Sequence, residues 1–172
     1  MSNRLMRAGS IIAIAAGLAL LGPGVYASSP SPESGTWTIT LTPQTVTSSG
    51  GNTIIEFTLN ETISGTVSGT RVGGGELIIH PDGTLVAHDA GTFTGTVDGV
   101  AGTGTLVVDA SGTFSSLTGR VVLKDGRGCL NGVRGKFRIV GSATGRTTFT
   151  GTYTGRVHFG RETNSDCGQG RD

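Results

Sequence analysis

The octet Thr148-Phe149-Thr150-Gly151-Thr152-Tyr153-Thr154-Gly155 shows most clearly the residue pattern from which the fold can be predicted. Similar octets occupy residues 62–69 and 92–99. In each octet most alternate residues carry a hydroxyl, and the residues between them are apolar or Gly. Because successive side chains of a β-strand point to opposite faces, this alternation predicts strands with a threonine-rich outer face and an apolar inner face.

The rest of the chain has the same β texture. Gly contributes 31 of the 172 residues, so few windows could hold three turns of helix. The longest stretch free of Gly and Pro, residues 52–64, alternates with period two at Ile55, Phe57 and Leu59. His80-Pro81-Asp82-Gly83-Thr84 matches a type I turn within a hairpin. The prediction is an all-β, closed antiparallel up-and-down barrel of about eight strands, with an antiparallel β-sandwich as the alternative.

The N-terminal region has the order of a secretory signal peptide. Arg4 and Arg7 precede an apolar run, and Val25-Tyr26-Ala27 has the small residues of a cleavage site. We expect cleavage near Ala27 and a secreted or extracytoplasmic protein with no membrane span in the mature chain; the alternative is an uncleaved anchor. The predicted organisation is a signal peptide at 1–27, a Ser/Pro-rich linker at 28–35, one barrel domain at 36–162 and a polar tail at 163–172.

Cys129 and Cys167 are the two cysteines of the chain. Export to an oxidising compartment favours a disulfide between them, and the alternative is two unpaired thiols. Two thiols without suitably placed histidines do not form a zinc site, so no metal is predicted, and no cofactor motif is present.

The charges divide unevenly along the chain. Residues 28–119 hold eight acidic residues and one basic residue, Arg71, whereas residues 120–172 hold ten basic and four acidic residues. The near-neutral total predicts no nucleic-acid partner. One interpretation is structural: acidic and basic strands of complementary charge meet within one fold. The other is functional: a basic patch binds an anionic envelope polymer. Its members would be Arg134, Lys136, Arg138, Arg146 and Arg156.

Glu76 and His88 are the candidate catalytic residues. A three-residue loop at 81–83 would place them opposite each other on one face of a hairpin that also carries Ile78 and Val86, and this face could be the inner one. A carboxylate that orients an imidazole can serve in proton transfer. The alternative is an ordinary pair on the surface.

The apolar positions of the octets and of the last strand are candidates for lining a ligand cavity, although they could equally fill a solid core. These residues are Ile63, Val67, Phe93, Val97, Phe149, Tyr153 and Val157.

Three groups of residues carry a family resemblance: Pro81-Asp82-Gly83-Thr84, Gly91-Thr92-Phe93-x-Gly95, and Gly126-x-Gly128-x-Leu130-x-Gly132-x-x-Gly135. Across residues 61–159 the chain is similar to a bacterial family of uncharacterised proteins with an allene-oxide-cyclase-like β-barrel. The resemblance implies an antiparallel barrel around an apolar cavity. Relatives of that wider group include cyclases that act on oxygenated fatty acids, but no catalytic residue of theirs matches a position here.

Three functions therefore stand as hypotheses. The first is a secreted, cofactor-free barrel that binds a small apolar ligand. The second is a cyclase- or isomerase-type enzyme acting on an oxygenated, lipid-like substrate. The third is a cell-envelope interaction module that uses the basic C-terminal strands. The sequence decides neither the ligand nor the oligomeric state, nor whether catalysis occurs.

Overall fold

The computed structural model describes residues 30–160 and Cys167. The predicted signal peptide and most of the predicted polar tail lie outside the described residues. Eight strands follow one another in the described part of the chain: β1 (Ser31–Ser49), β2 (Asn52–Gly65), β3 (Val67–Ile79), β4 (Leu85–Val97), β5 (Val100–Thr113), β6 (Ser116–Gly128), β7 (Arg134–Ala143) and β8 (Thr148–His158).

The strands form a closed antiparallel barrel. Each strand pairs with the next along the chain, and β8 pairs with β1 from Ser31↔Val157 to Thr40↔Thr148. The all-β, up-and-down prediction is therefore confirmed. Closure gives every strand two neighbours over much of its length, which removes the exposed edges that lead to aggregation. β1 begins at Ser31, so residues 31–35 of the predicted linker belong to the first strand.

Alternation of side chains builds the core. Apolar residues at the odd-numbered positions of β4, such as Leu85, Phe93 and Val97, are buried, whereas Thr92 and Thr94 between them are exposed. The octet at 148–155 lies wholly within β8 and follows this rule. The octet at 62–69 is divided by a turn, because β2 ends at Gly65, whose φ of 126° is accessible to Gly but strained for other residues.

The two ends of the barrel differ. One end, called the disulfide end here, carries the loop between β6 and β7, in which Leu130 and Val133 are almost completely buried and fill the mouth of the barrel. Cys129 in this loop is bonded to Cys167. Since Ser31 pairs with Val157, the start of β1 and the end of β8 also lie at this end. The opposite end carries the turns after β1, β3, β5 and β7.

Candidate functional site: a cavity with a buried arginine

The interior of the barrel holds a cavity of about 80 Å³. All eight strands contribute to its lining, which extends from Leu85 and Leu117 near the opposite end to Ile63 and Val67 near the disulfide end. The wall consists mainly of aliphatic and aromatic side chains, as is common in sites for small molecules. The complete lining is Trp37, Ile39, Leu41, Phe57, Glu61, Ile63, Val67, Arg71, Leu77, Leu85, Ala87, Asp89, Leu106, Val108, Ala110, Leu117, Val121, Phe137, Ile139, Phe149 and Tyr153.

A charged cluster of Arg71, Glu61 and Asp89 interrupts this apolar wall. Arg71 Nε donates to Glu61 Oε2 at 2.6 Å, and Arg71 Nη1 donates to Asp89 Oδ1. The side chains of Arg71, Glu61 and Asp89 are 1%, 10% and 6% exposed. A charge buried to this degree needs compensation, and each carboxylate supplies a charge-assisted hydrogen bond to the guanidinium.

Glycines beside the cluster make room for the arginine. Gly73 and Gly91 face each other across β3 and β4, two residues from Arg71 along β3 and from Asp89 along β4. A Cβ on Gly91 would lie 3.0 Å from Arg71 Cγ and 2.7 Å from the carbonyl oxygen of Val72. Because these two glycines have no side chains, the inner wall leaves room beside them for the guanidinium and its two carboxylate partners.

The cluster carries a net negative charge when both carboxyl groups are ionised, because two carboxylates face one guanidinium. Burial raises the pKa of Glu61 and of Asp89, while the Arg71 guanidinium lowers each pKa by a smaller amount. Of the arginine's five N–H groups, two are used in these contacts, and Nη2 donates to no described residue. The cavity wall therefore offers strong hydrogen-bond donors within apolar surroundings.

Two aromatic residues are fixed by hydrogen bonds in the same wall. Tyr153 Oη donates to the carbonyl of Val67 at 2.9 Å and accepts from the Val67 amide at 2.9 Å. Trp37 Nε1 donates to the carbonyl of Thr152 at 3.1 Å. The polar atoms of both rings are thus engaged with the backbone, and the rings offer apolar surface to the cavity.

The seven apolar residues proposed from the sequence are all buried. Four of them line the cavity, namely Ile63, Val67, Phe149 and Tyr153. The lining does not include the other three, Phe93, Val97 and Val157, which are part of the packed core.

The structure places Glu76 and His88 on the outer face. They are opposite each other in the register, as the length of the turn predicts. Their parity is that of the outward positions, so they do not share the cavity. His88 Nδ1 lies 2.7 Å from Oδ1 of Asp109 on β5, and both side chains are more than half exposed. The imidazole therefore contacts Asp109 rather than the predicted partner, Glu76.

The remaining predicted features are located as follows. The disulfide between Cys129 and Cys167 is present, with the two Cα atoms 5.6 Å apart. Among the residues that the structure describes, no three His, Cys, Asp or Glu side chains are grouped closely enough to hold a metal ion. No helix within the described ranges has the length and apolar character needed to cross a membrane.

The chain matches a family model and is similar to a solved structure. Residues 33–153 match the family model described as "Protein of unknown function (DUF3224)". The chain belongs to the DUF3224 family. A solved structure of a DUF3224 protein of unknown function, from Shewanella oneidensis MR-1, has 18% sequence identity and a TM-score of 0.63. The similarity covers 77% of the present chain and 98% of the Shewanella chain, and at this identity it shows a shared fold. No curated protein matches the sequence.

Proposed function

We propose that this DUF3224 barrel binds a small, neutral, largely apolar molecule that carries one hydrogen-bond-accepting oxygen. The observation that supports the proposal is the position of a buried guanidinium, with its two carboxylate partners, in the wall of a cavity whose other lining residues are apolar. Aliphatic and aromatic side chains favour an apolar body through burial of its surface. Arg71 favours an acceptor such as a carbonyl, since an unused N–H group in apolar surroundings gains from a partner.

Charge and size limit the ligand further. An anionic ligand would meet the excess negative charge of Glu61 and Asp89, so a neutral acceptor is favoured over a carboxylate. A cavity of about 80 Å³ is smaller than the roughly 150 Å³ of a cavity known to bind benzene. The part of the ligand that enters is therefore a short chain or a small ring, and a larger ring requires movement of the lining side chains.

Trp37 provides a direct test of binding. It is the single tryptophan of the chain and it lines the cavity. Titration with cyclopentanone should change its fluorescence, and methylcyclopentane, of similar size but without the oxygen, should bind roughly tenfold or more weakly because it lacks a hydrogen bond to a charged donor. Equal affinity for the two compounds, or no response to either, would contradict the proposal.

A matched pair of variants locates the binding site. Ala87→Leu fills the cavity, because Ala87 lines it, whereas Ala90→Leu adds the same atoms to an exposed position on the same strand. We expect the first variant to lose the ketone response and the second to retain it. If both retain it, the ligand binds elsewhere.

We also infer that the protein works outside the cytoplasm. The signal-peptide pattern before Ala27 and the Cys129–Cys167 disulfide both support export. Intact-mass spectrometry of protein secreted by a bacterial host should give a chain that starts near Ser28 and is two protons lighter than the reduced form. Retention of the full-length chain inside the cells would contradict export.

A further inference from the structure

The outer wall formed by β6, β7 and β8 carries a cluster of exposed basic residues, called the basic face here. β7 supplies three of them at successive outward positions, and each neighbouring strand supplies one. The members are Arg120, Arg134, Lys136, Arg138 and Arg156. Arg146, also predicted to belong to this patch, lies instead in the loop between β7 and β8.

The register brings like charges together within this face. Arg120 lies directly opposite Arg138, and Lys136 lies directly opposite Arg156. Like charges at directly opposed positions destabilise an antiparallel sheet. Among the described residues, no carboxylate lies within salt-bridge distance of any member of the basic face. Asp109 on β5 lies opposite Arg120 and offsets part of this repulsion, whereas no acidic residue of the described strands lies opposite Lys136 or Arg156, so an anionic partner would relieve what remains.

We propose that the basic face is a binding surface for an acidic polysaccharide. Arg134, Lys136 and Arg138 alternate along one strand, so their Cα atoms are spaced by roughly 7 Å, which lets an extended chain of regularly repeated carboxylates contact several cations in turn. Arginine pairs with carboxylates through two parallel hydrogen bonds, and two of these three residues are arginines.

Neighbouring residues favour a carbohydrate over a nucleic acid. The outward positions beside the basic face carry hydroxyl groups, as at Thr118, Thr152 and Thr154, which can exchange hydrogen bonds with sugar hydroxyls. The outward positions of β6, β7 and β8 include no Phe, Tyr or Trp, the side chains on which single-stranded bases stack.

The test is isothermal titration calorimetry with polygalacturonate, a uronic-acid polymer, beside neutral dextran and the single-stranded DNA oligo(dT). We expect polygalacturonate to bind, dextran to fail, and oligo(dT) to bind more weakly. Raising NaCl from about 20 to about 300 mM should weaken the binding, because exposed charges are screened.

Variants that each remove one positive charge test whether the basic face is the surface that binds the polymer. Arg138→Gln and Lys136→Gln should each weaken binding roughly two- to fivefold, the range expected for an exposed charge contact. Arg146→Gln, which removes the same charge from an exposed loop position, should leave the affinity unchanged. Arg156→Gln removes the opposite member of one pair and provides an independent check on Lys136→Gln.

Several results would overturn the proposal. These are binding of dextran as tight as that of polygalacturonate, an equal loss in Arg146→Gln, or tighter binding of oligo(dT). Salt-dependent self-association that Arg138→Gln abolishes, together with no polymer binding, would make a second copy of the chain the occupant of the basic face.

Discussion

The charged cluster makes replacement of Arg71 by Met the most informative perturbation of the barrel. The substitution keeps an unbranched side chain but removes both hydrogen bonds to carboxylates that are 10% and 6% exposed. Leaving buried charges without a partner costs about 3–5 kcal/mol. For a domain of this size, each kcal/mol lowers the melting temperature by roughly 3–5 °C, so Arg71→Met should melt roughly 10–20 °C lower at neutral pH.

The loss should depend on pH in a defined direction. Glu61 and Asp89 have folded-state pKa values above their ordinary values of 4.5 and 3.8. The folded state therefore holds more protons than the unfolded state above about pH 4, and stability falls as the pH rises through the folded-state pKa values. Removal of Arg71 takes away the influence that lowers both pKa values. The penalty should be largest at neutral pH and should shrink as the pH falls through the raised pKa values, because the carboxyl groups then take up protons.

Thermal unfolding followed by circular dichroism at several pH values measures this effect. Arg146→Met removes an exposed arginine from the loop between β7 and β8 and should change stability by less than about 0.5 kcal/mol. The triple variant Arg71→Met, Glu61→Gln, Asp89→Asn removes the unpaired charges, so it should regain much of the loss at neutral pH and show a flatter pH profile. A pH-independent loss in Arg71→Met, or a triple variant no more stable than the single one at neutral pH, would refute the reasoning.

Three further predictions concern other parts of the barrel. Cys129→Ser opens a loop of 38 residues and should lower the free energy of unfolding by about 4 kcal/mol, measured in denaturant; a midpoint equal to that of the oxidised protein would show that the crosslink does not stabilise the fold. Gly151→Ala presses a Cβ against the carbonyl oxygen of Val140 and places it 2.8 Å from Trp37 Cζ2, so it should cost roughly 1–3 kcal/mol and shift the Trp37 emission; an unchanged midpoint and emission would contradict this packing. Lys136→Gln relieves the opposition to Arg156 and should raise stability by roughly 0.2–1 kcal/mol at low salt, and a gain that persists in high salt would not be electrostatic.

The fold could be predicted from the sequence because its signals are local. Alternation in the octet at 148–155 assigns each residue to one face, and the turn at 81–83 sets the register of β3 with β4. Closure of the ring was also predictable, since hairpins in succession leave two edges that benefit from pairing. The turn within residues 62–69 was harder to predict, because its Gly–Thr sequence is the same in strands and in turns.

The charged cluster was only partly visible in the sequence. Arg71 stands out as the single base of residues 28–119, and it lies four positions after Val67, on the same face of the strand. Strand alternation therefore points Arg71 toward the barrel interior. Hydrophobic patterning, however, expects an apolar residue at an inward position and does not predict a charged one there. Its partners come from β2 and β4, so their convergence depends on the register between strands. The same limit explains Asp109, whose contact with His88 joins residues 21 positions apart.

The location of both strand termini at the disulfide end has a practical consequence. Ser31 and Val157 sit side by side there, and Cys167 is fastened to the same end. A purification tag, a fluorescent fusion or a surface tether joined directly to the start of β1 or to the end of β8 would therefore leave the barrel at one pole. The other pole, which carries the turns after β1, β3, β5 and β7, would stay clear of the attachment, so a molecule immobilised in this way presents those turns to the solution.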